Sequence, residues 1–130
     1  MIRYLDSSAI VKLVQPEAES RALLAHIEDE AVLATSALAR VEVLRAVHPD
    51  GEHAASIARD QLDRFHQVAV GPAVLDRAAF LAPGTLLRSL DAIHVATATL
   101  IGSDLLEVVT YDRRMAGVCH VVGMPTAAPA

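Results

Sequence analysis

Ile2-Arg3-Tyr4-Leu5-Asp6-Ser7-Ser8-Ala9-Ile10-Val11-Lys12-Leu13-Val14 decides the class of fold. Residues 2 to 5 are a short apolar run and Asp6-Ser7-Ser8 is a polar turn. The apolar residues that follow suit a helix. The segment reads as strand, turn and helix, with Asp6 at the strand's carboxyl end and either Asp6 or Ser7 able to cap the helix. The same unit recurs downstream. A helix opens at Pro16-Glu17 and runs to about Glu28, with Ala18, Leu23, Leu24 and Ile27 inward. Ala31 to Ala34 reads as a second strand, followed by Thr35 and Ser36 as cap candidates. The next helix, Ala37 to about Val47, carries Leu38, Val41 and Leu44 as its apolar stripe. Pro49-Asp50-Gly51 is a turn. A helix over Ala54 to Phe65, a third strand over Gln67 to Val70 and a helix from Pro72 to about Leu81 come next, and Pro83-Gly84 ends the last of these.

Leu90-Asp91-Ala92-Ile93-His94-Val95-Ala96-Thr97-Ala98 begins a buried helix, with Ser89 as its cap and Ile93, Ala96 and Leu100 at helical spacing. Leu105 to Thr110 is a fourth strand that runs into Tyr111-Asp112-Arg113-Arg114, and His120 to Val122 is a candidate fifth. Strands alternating with helices imply an α/β fold, a parallel sheet of four to five short strands covered on both faces. One domain over residues 1–123 and a disordered tail over 124–130 complete the expected organisation.

With 130 residues, one core is expected. Hydrophobic residues make up 53% and aromatics 3%, so that core must be Ala, Val and Leu. The mean hydropathy of +0.38 exceeds what a monomer of this size needs, which points to a partner or a second copy covering part of the surface. No run approaches the roughly 18 to 20 apolar residues of a membrane span. The N-terminus enters a strand without a signal-peptide layout, so a cytoplasmic location is expected. Cys119 is the only cysteine and cannot form an internal disulfide. A net charge of −5, from 16 acids and 11 bases, argues against a generic nucleic-acid coat protein.

Four acids, Asp6, Glu42, Asp91 and Asp112, each sit near the mouth of a strand-to-helix unit. Singly they have ordinary explanations. Asp6 can cap a helix, Asp91 answers a helix dipole, and Glu42 flanks an apolar stripe. Together they suggest a site, because ligands of an open α/β sheet bind beyond the carboxyl ends of its strands. Close carboxylates repel by about 4 kcal/mol per pair at ~4 Å with an effective dielectric near 20. A shared proton or a hard divalent cation relieves this. Oxygen donors favour Mg²⁺ or Mn²⁺ over Zn²⁺. The six histidines show no H-E-x-x-H spacing, and His94, one turn after Asp91, is either a satisfied helical histidine or a supporting group. A carboxylate-held metal would activate water for in-line phosphodiester cleavage. The P-loop and G-x-S-x-G motifs are absent, which removes P-loop nucleotide hydrolysis and serine acyl transfer.

These motifs carry a resemblance. Leu-Asp-Ser-Ser-Ala at Asp6, Arg-Val-Glu-Val-Leu-Arg at Glu42, Leu-Asp-Ala-Ile-His-Val-Ala at Asp91 and Thr-Tyr-Asp-Arg-Arg-Met at Asp112 resemble the four acidic motifs of PIN-domain ribonucleases. The length and start are similar to the VapC toxins of bacterial type II toxin–antitoxin pairs. The resemblance covers residues 1 to about 123 and implies a three-layer α/β/α sandwich. It also implies a Mg²⁺-dependent endoribonuclease, with Mn²⁺ as a substitute, usually homodimeric and silenced by a VapB-like antitoxin. By the same resemblance Asp6 and Asp91 are the principal metal ligands, and Glu42 and Asp112 complete the pocket directly or through water. Ser8 and Thr110 stand where the family often has a small hydroxyl residue. The competing readings are a non-catalytic PIN-like module that binds RNA or protein, and a Mg²⁺-dependent phosphatase. The phosphatase lacks its usual D-x-D, since Ser7-Ser8 follows Asp6.

Overall fold

The computed structural model describes residues 1–130. Its five strands are β1 Ile2–Leu5, β2 Val32–Ser36, β3 His66–Val68, β4 Leu105–Val109 and β5 Thr126–Ala127. They form one parallel sheet in the order β3-β2-β1-β4-β5. Seven α-helices connect them: α1 Ser7–Val14, α2 Ser20–His26, α3 Ala39–Val47, α4 Glu52–Leu62, α5 Pro72–Ala79, α6 Ser89–Ile101 and α7 Arg113–Val121.

Alternation along the central strands builds two cores. Leu5, Leu33 and Val109 face α1 to α4 and pack with Ile10, Leu23, Val43 and Leu62. Their neighbours Tyr4, Ala34 and Val108 face the other way, against Val95 and Ala98 of α6 and Met115 and Val118 of α7. α5 covers α6 on that second side. The result is the expected three-layer α/β/α arrangement. The strands are short, three to five residues each apart from the two-residue β5.

Three local expectations are corrected. The tail is not disordered over its whole length, because Thr126–Ala127 forms β5 beside β4. Val108 donates to the Pro125 carbonyl and Thr110 to that of Ala127, and the Tyr111 hydroxyl reaches the Pro129 carbonyl at 2.7 Å. His120 and Val121 finish α7 instead of forming a strand. In α3 the inward line is Ala39, Val43 and Val47, while Val41 is 56% exposed. Both lines are apolar at helical spacing, and the position of the sheet selects between them.

Toward the amino end of the sheet, the buried Arg3 guanidinium forms a clamp. Its Nη1 and Nη2 donate to Asp29 at 2.7 and 2.9 Å, and its Nε donates to Glu107 at 2.8 Å. His26 Nε2 lies 2.5 Å from the same Glu107 oxygen. The opposite, carboxyl edge is organised differently. β1 leads to β2 on one side, and the chain returns to the other side of β1 only with β4. The strand order therefore reverses between β1 and β4, and a crevice opens there.

Candidate functional site

Asp6 follows β1 directly and Thr110 follows β4, so the two meet at that crevice. Asp6 is 2% exposed. Its Oδ1 accepts from the Ala9 N–H at 3.1 Å and from Ser8 Oγ at 2.7 Å, and its Oδ2 accepts from Thr110 Oγ1 at 2.6 Å. It caps α1. Every one of these donors is neutral. Burial therefore raises the Asp6 carboxyl above its usual range, despite the opposing bonds from Thr110 and Ser8.

The supporting hydroxyls tie two loops together. Ser8 Oγ accepts from the Tyr111 N–H at 3.1 Å, and Thr110 Oγ1 accepts from the Asp112 N–H at 3.1 Å. Asp112 in turn caps α7, its Oδ1 accepting from the N–H groups of Arg114 and Met115 at 2.9 and 3.1 Å. Capping and membership of the acidic edge are thus properties of the same residues. They are not alternatives.

Glu42 lies in the first turn of α3 and Asp91 in the first turn of α6. Both helices start at the carboxyl edge, so their positive ends face the crevice. Glu42 Oε1 accepts from Ser7 Oγ at 2.7 Å and lies 2.6 Å from His94 Nε2. Burial alone would raise the Glu42 carboxyl, but the His94 and Ser7 bonds outweigh it and hold the group below its ordinary range. Asp91 is 17% exposed and has a single charged neighbour, the largely exposed Arg88 at 3.3 Å. That contact is long and solvent-screened, so it contributes little.

The four acids therefore arrive at one edge as two linked groups and a separate carboxylate. Asp6, Ser8, Thr110 and Asp112 form one group, Ser7, Glu42 and His94 the second, and Asp91 stands apart. As the side chains lie, no three Asp, Glu, His or Cys residues surround a common point that could hold a metal ion. The donor chemistry nevertheless fits a hard divalent cation. Asp6 is a buried carboxylate without a cationic partner, Asp91 has only a marginal one, and the donors are oxygens.

The fold settles the roles of two residues that the sequence left open, Ser7 as a cap candidate and His94 as either a satisfied helical histidine or a supporting group. Ser7 is one of two adjacent serines, and only its position on α1 aims it at Glu42. His94 pairs with Tyr4 and Glu42, which lie 90 and 52 residues away in the chain.

Comparison with known proteins agrees with this architecture. The family model of the PIN domain matches residues 3–121. Ribonuclease VapC46 of Mycobacterium tuberculosis is 46% identical over 126 residues, covering 97% of this chain and 96% of that protein. Among solved structures, VapC20 of Mycobacterium tuberculosis, described as a sarcin–ricin loop cleaving toxin, superposes with a TM-score of 0.77 at 16% identity, over 98% of this chain and 99% of that one. A toxin–antitoxin complex from Klebsiella pneumoniae gives 0.74 at 21% identity, over 98% of both chains. At those identities the two structures speak to the fold, while the family match spans nearly the whole sequence: the chain belongs to the PIN-domain family.

Proposed function

We propose that this protein is an endoribonuclease toxin of the VapC type that hydrolyses RNA phosphodiester bonds with the help of Mg²⁺, for which Mn²⁺ can substitute. The observation that carries this reading is the arrival of Asp6, Glu42, Asp91 and Asp112 at one sheet edge. They come from four separate segments, each at the start of a helix. The 46% identity to a protein named a ribonuclease supports the substrate class.

Asp6 and Asp91 would hold the cation, with Glu42 and Asp112 completing the pocket directly or through water. When bound, the cation supplies positive charge beside the scissile phosphate and the acidity that makes water a nucleophile at neutral pH. The chain's own contribution is orientation. Ser8 and Thr110 fix the Asp6 rotamer. Glu42 is kept ionised, with Oε1 engaged and Oε2 left to face water or substrate.

A VapB-like antitoxin and a second copy of the chain are the proposed protein partners, and the cytoplasm the proposed location. Phe80 and Leu86, each 83% exposed, together with Leu75 and Leu90, leave an apolar surface on the α5–α6 side that suits such partners. No helix is long and apolar enough to cross a membrane.

The test is cleavage of total RNA by the purified protein, in Mg²⁺ and in EDTA, beside Asp91→Asn. Discrete fragments that need both the metal and Asp91 are expected. Failure to cleave under any condition would leave the acids as helix-end residues, Asp6 and Asp112 as caps and Glu42 and Asp91 in first turns, and the chain as a module that binds RNA or protein.

A further inference from the structure

His94 is 1% exposed, yet it sits in the second turn of α6 beside an acidic edge that must be open to work. Both ring nitrogens are engaged. Nδ1 lies 2.6 Å from the Tyr4 hydroxyl, and Nε2 lies 2.6 Å from Glu42 Oε1, with Ser7 Oγ at 3.3 Å. The Tyr4 ring meets the imidazole edge-on, 5.9 Å between centroids at 72°. Tyr4 belongs to the core on the α6 side of the sheet and Glu42 to a helix on the other side. The imidazole therefore spans the two helical layers across the carboxyl edge.

Donor and acceptor roles follow from the partners. An ionised carboxylate only accepts, so Nε2 carries the proton and donates to Glu42. Burial keeps the Tyr4 hydroxyl protonated, so it can donate to Nδ1. Both ring nitrogens are then satisfied with a proton on Nε2. Glu42 itself stands on a partly exposed flank of α3, where an unheld glutamate samples several rotamers and loses side-chain entropy on being fixed. Something must hold it if it is to serve a site.

We propose that His94 is a positioning residue: anchored by Tyr4, its Nε2–H fixes the Glu42 carboxylate, with Ser7, in one orientation at the acidic edge. The role of Glu42 in cleavage rests on the nuclease reading above, whereas the His94–Glu42 link stands on geometry alone.

Two measurements keep these separable. In ¹⁵N-histidine NMR of the metal-free protein, His94 should show a protonated Nε2 and an unprotonated Nδ1. The Nε2 proton should be protected from solvent exchange in the wild type and exchange-broadened in Glu42→Ala. A mixture of tautomers, or a proton on Nδ1 alone, overturns the proposal. In RNA cleavage, His94→Ala should lower kcat by about 10–100-fold with KM for RNA changed less than about twofold. His94→Gln keeps an amide donor near the Nε2 position and should recover most of that loss. Tyr4→Phe, which removes only the anchor, should fall between wild type and His94→Ala. Equal losses in His94→Gln and His94→Ala, or a loss entirely in KM, would contradict a positioning role. Should His94→Ala fail to fold, His94→Gln and Tyr4→Phe decide the matter. Should the wild type not cleave RNA, the nuclease reading falls, and the NMR result alone decides the link.

Discussion

Replacing Asp6 by Asn removes a charge from a position that is 2% exposed while keeping its shape, and the metal-free protein should become more stable. The amide oxygen can still accept from Ser8 Oγ and the Ala9 N–H. Asn matches Asp as an N-cap, so α1 keeps its start. On the other side the amide nitrogen meets Thr110 Oγ1, which now donates to Oδ2, and that hydroxyl must reverse. The lost bond costs about 1 kcal/mol. Against it stands a buried ion that no cation compensates, a penalty of several kcal/mol offset only in part by charge-assisted bonds of about 1.5–3 kcal/mol each. Because burial outweighs those bonds in setting the Asp6 carboxyl, relief should win. The net gain should lie at about 0.5–2 kcal/mol, the usual yield of a stabilising change at a site built for function. That is a rise of about 2–6 °C in Tm. Urea denaturation in EDTA at neutral pH and at descending pH is the assay. The native carboxyl titrates above its unfolded value, so the cost to the wild type is present above the native pKa and is relieved as pH falls through it. The advantage of Asn should therefore shrink on acidification. In Mg²⁺ the order should reverse: at 100 times Kd, binding stabilises the wild type by about 2.7 kcal/mol and leaves the variant little changed. A less stable Asp6→Asn at neutral pH in EDTA, or an advantage that grows as pH falls, would refute the reasoning.

Three further outcomes test the scaffold. Arg3→Met leaves the mostly buried Glu107 without its guanidinium and should cost about 3 kcal/mol in chemical denaturation, the lower end for breaking a buried pair. The Arg3 bonds also hold the Asp29 carboxyl at about 2, so ¹³C titration should place its midpoint there in the wild type and back in the ordinary range in Arg3→Met. The stabilisation from Asp29 is present above its unfolded pKa and is lost as pH falls toward about 2. In α3, Val43→Ala should destabilise by about 2 kcal/mol and Val41→Ala by less than about 0.5, because only Val43 is in the core. Ending the chain at Gly123 deletes β5, and hydrogen exchange should show lost protection at the Val108 and Thr110 N–H groups that β5 and its flanking Pro125 cover.

Much of this fold is written locally. Ile2 to Val14 changes from an apolar run to helical spacing across three polar residues, and Leu90 to Ala98 is apolar enough to declare a buried helix. The four acids were legible for the same reason, since each lies beside an element boundary that its own neighbours define. Other features depend on contacts between distant segments. Ala39, Val43 and Val47 compete with Leu38, Val41 and Leu44 for the inward face of α3, and nothing within the helix decides between them. β5 is two residues long, next to Pro125, so no periodicity can reveal it; its backbone pairing with β4 creates it. The tail's high content of small residues looks like disorder until that edge is considered. His94 is the clearest case. Its partners come from β1 and α3, and only the crossing of the sheet edge by both layers turns an apolar helix's histidine into the link to Glu42.

The central claim is that four carboxylates at one sheet edge form a single divalent-cation site and are not merely four helix-end residues. Mn²⁺ titration followed by electron paramagnetic resonance tests it without needing a substrate. The expected result is saturable binding by the wild type, competed by Mg²⁺, and weakened at least about tenfold in both Asp6→Asn and Asp91→Asn, with both variants folded. Absence of saturable binding, or binding that survives both substitutions unchanged, would contradict it.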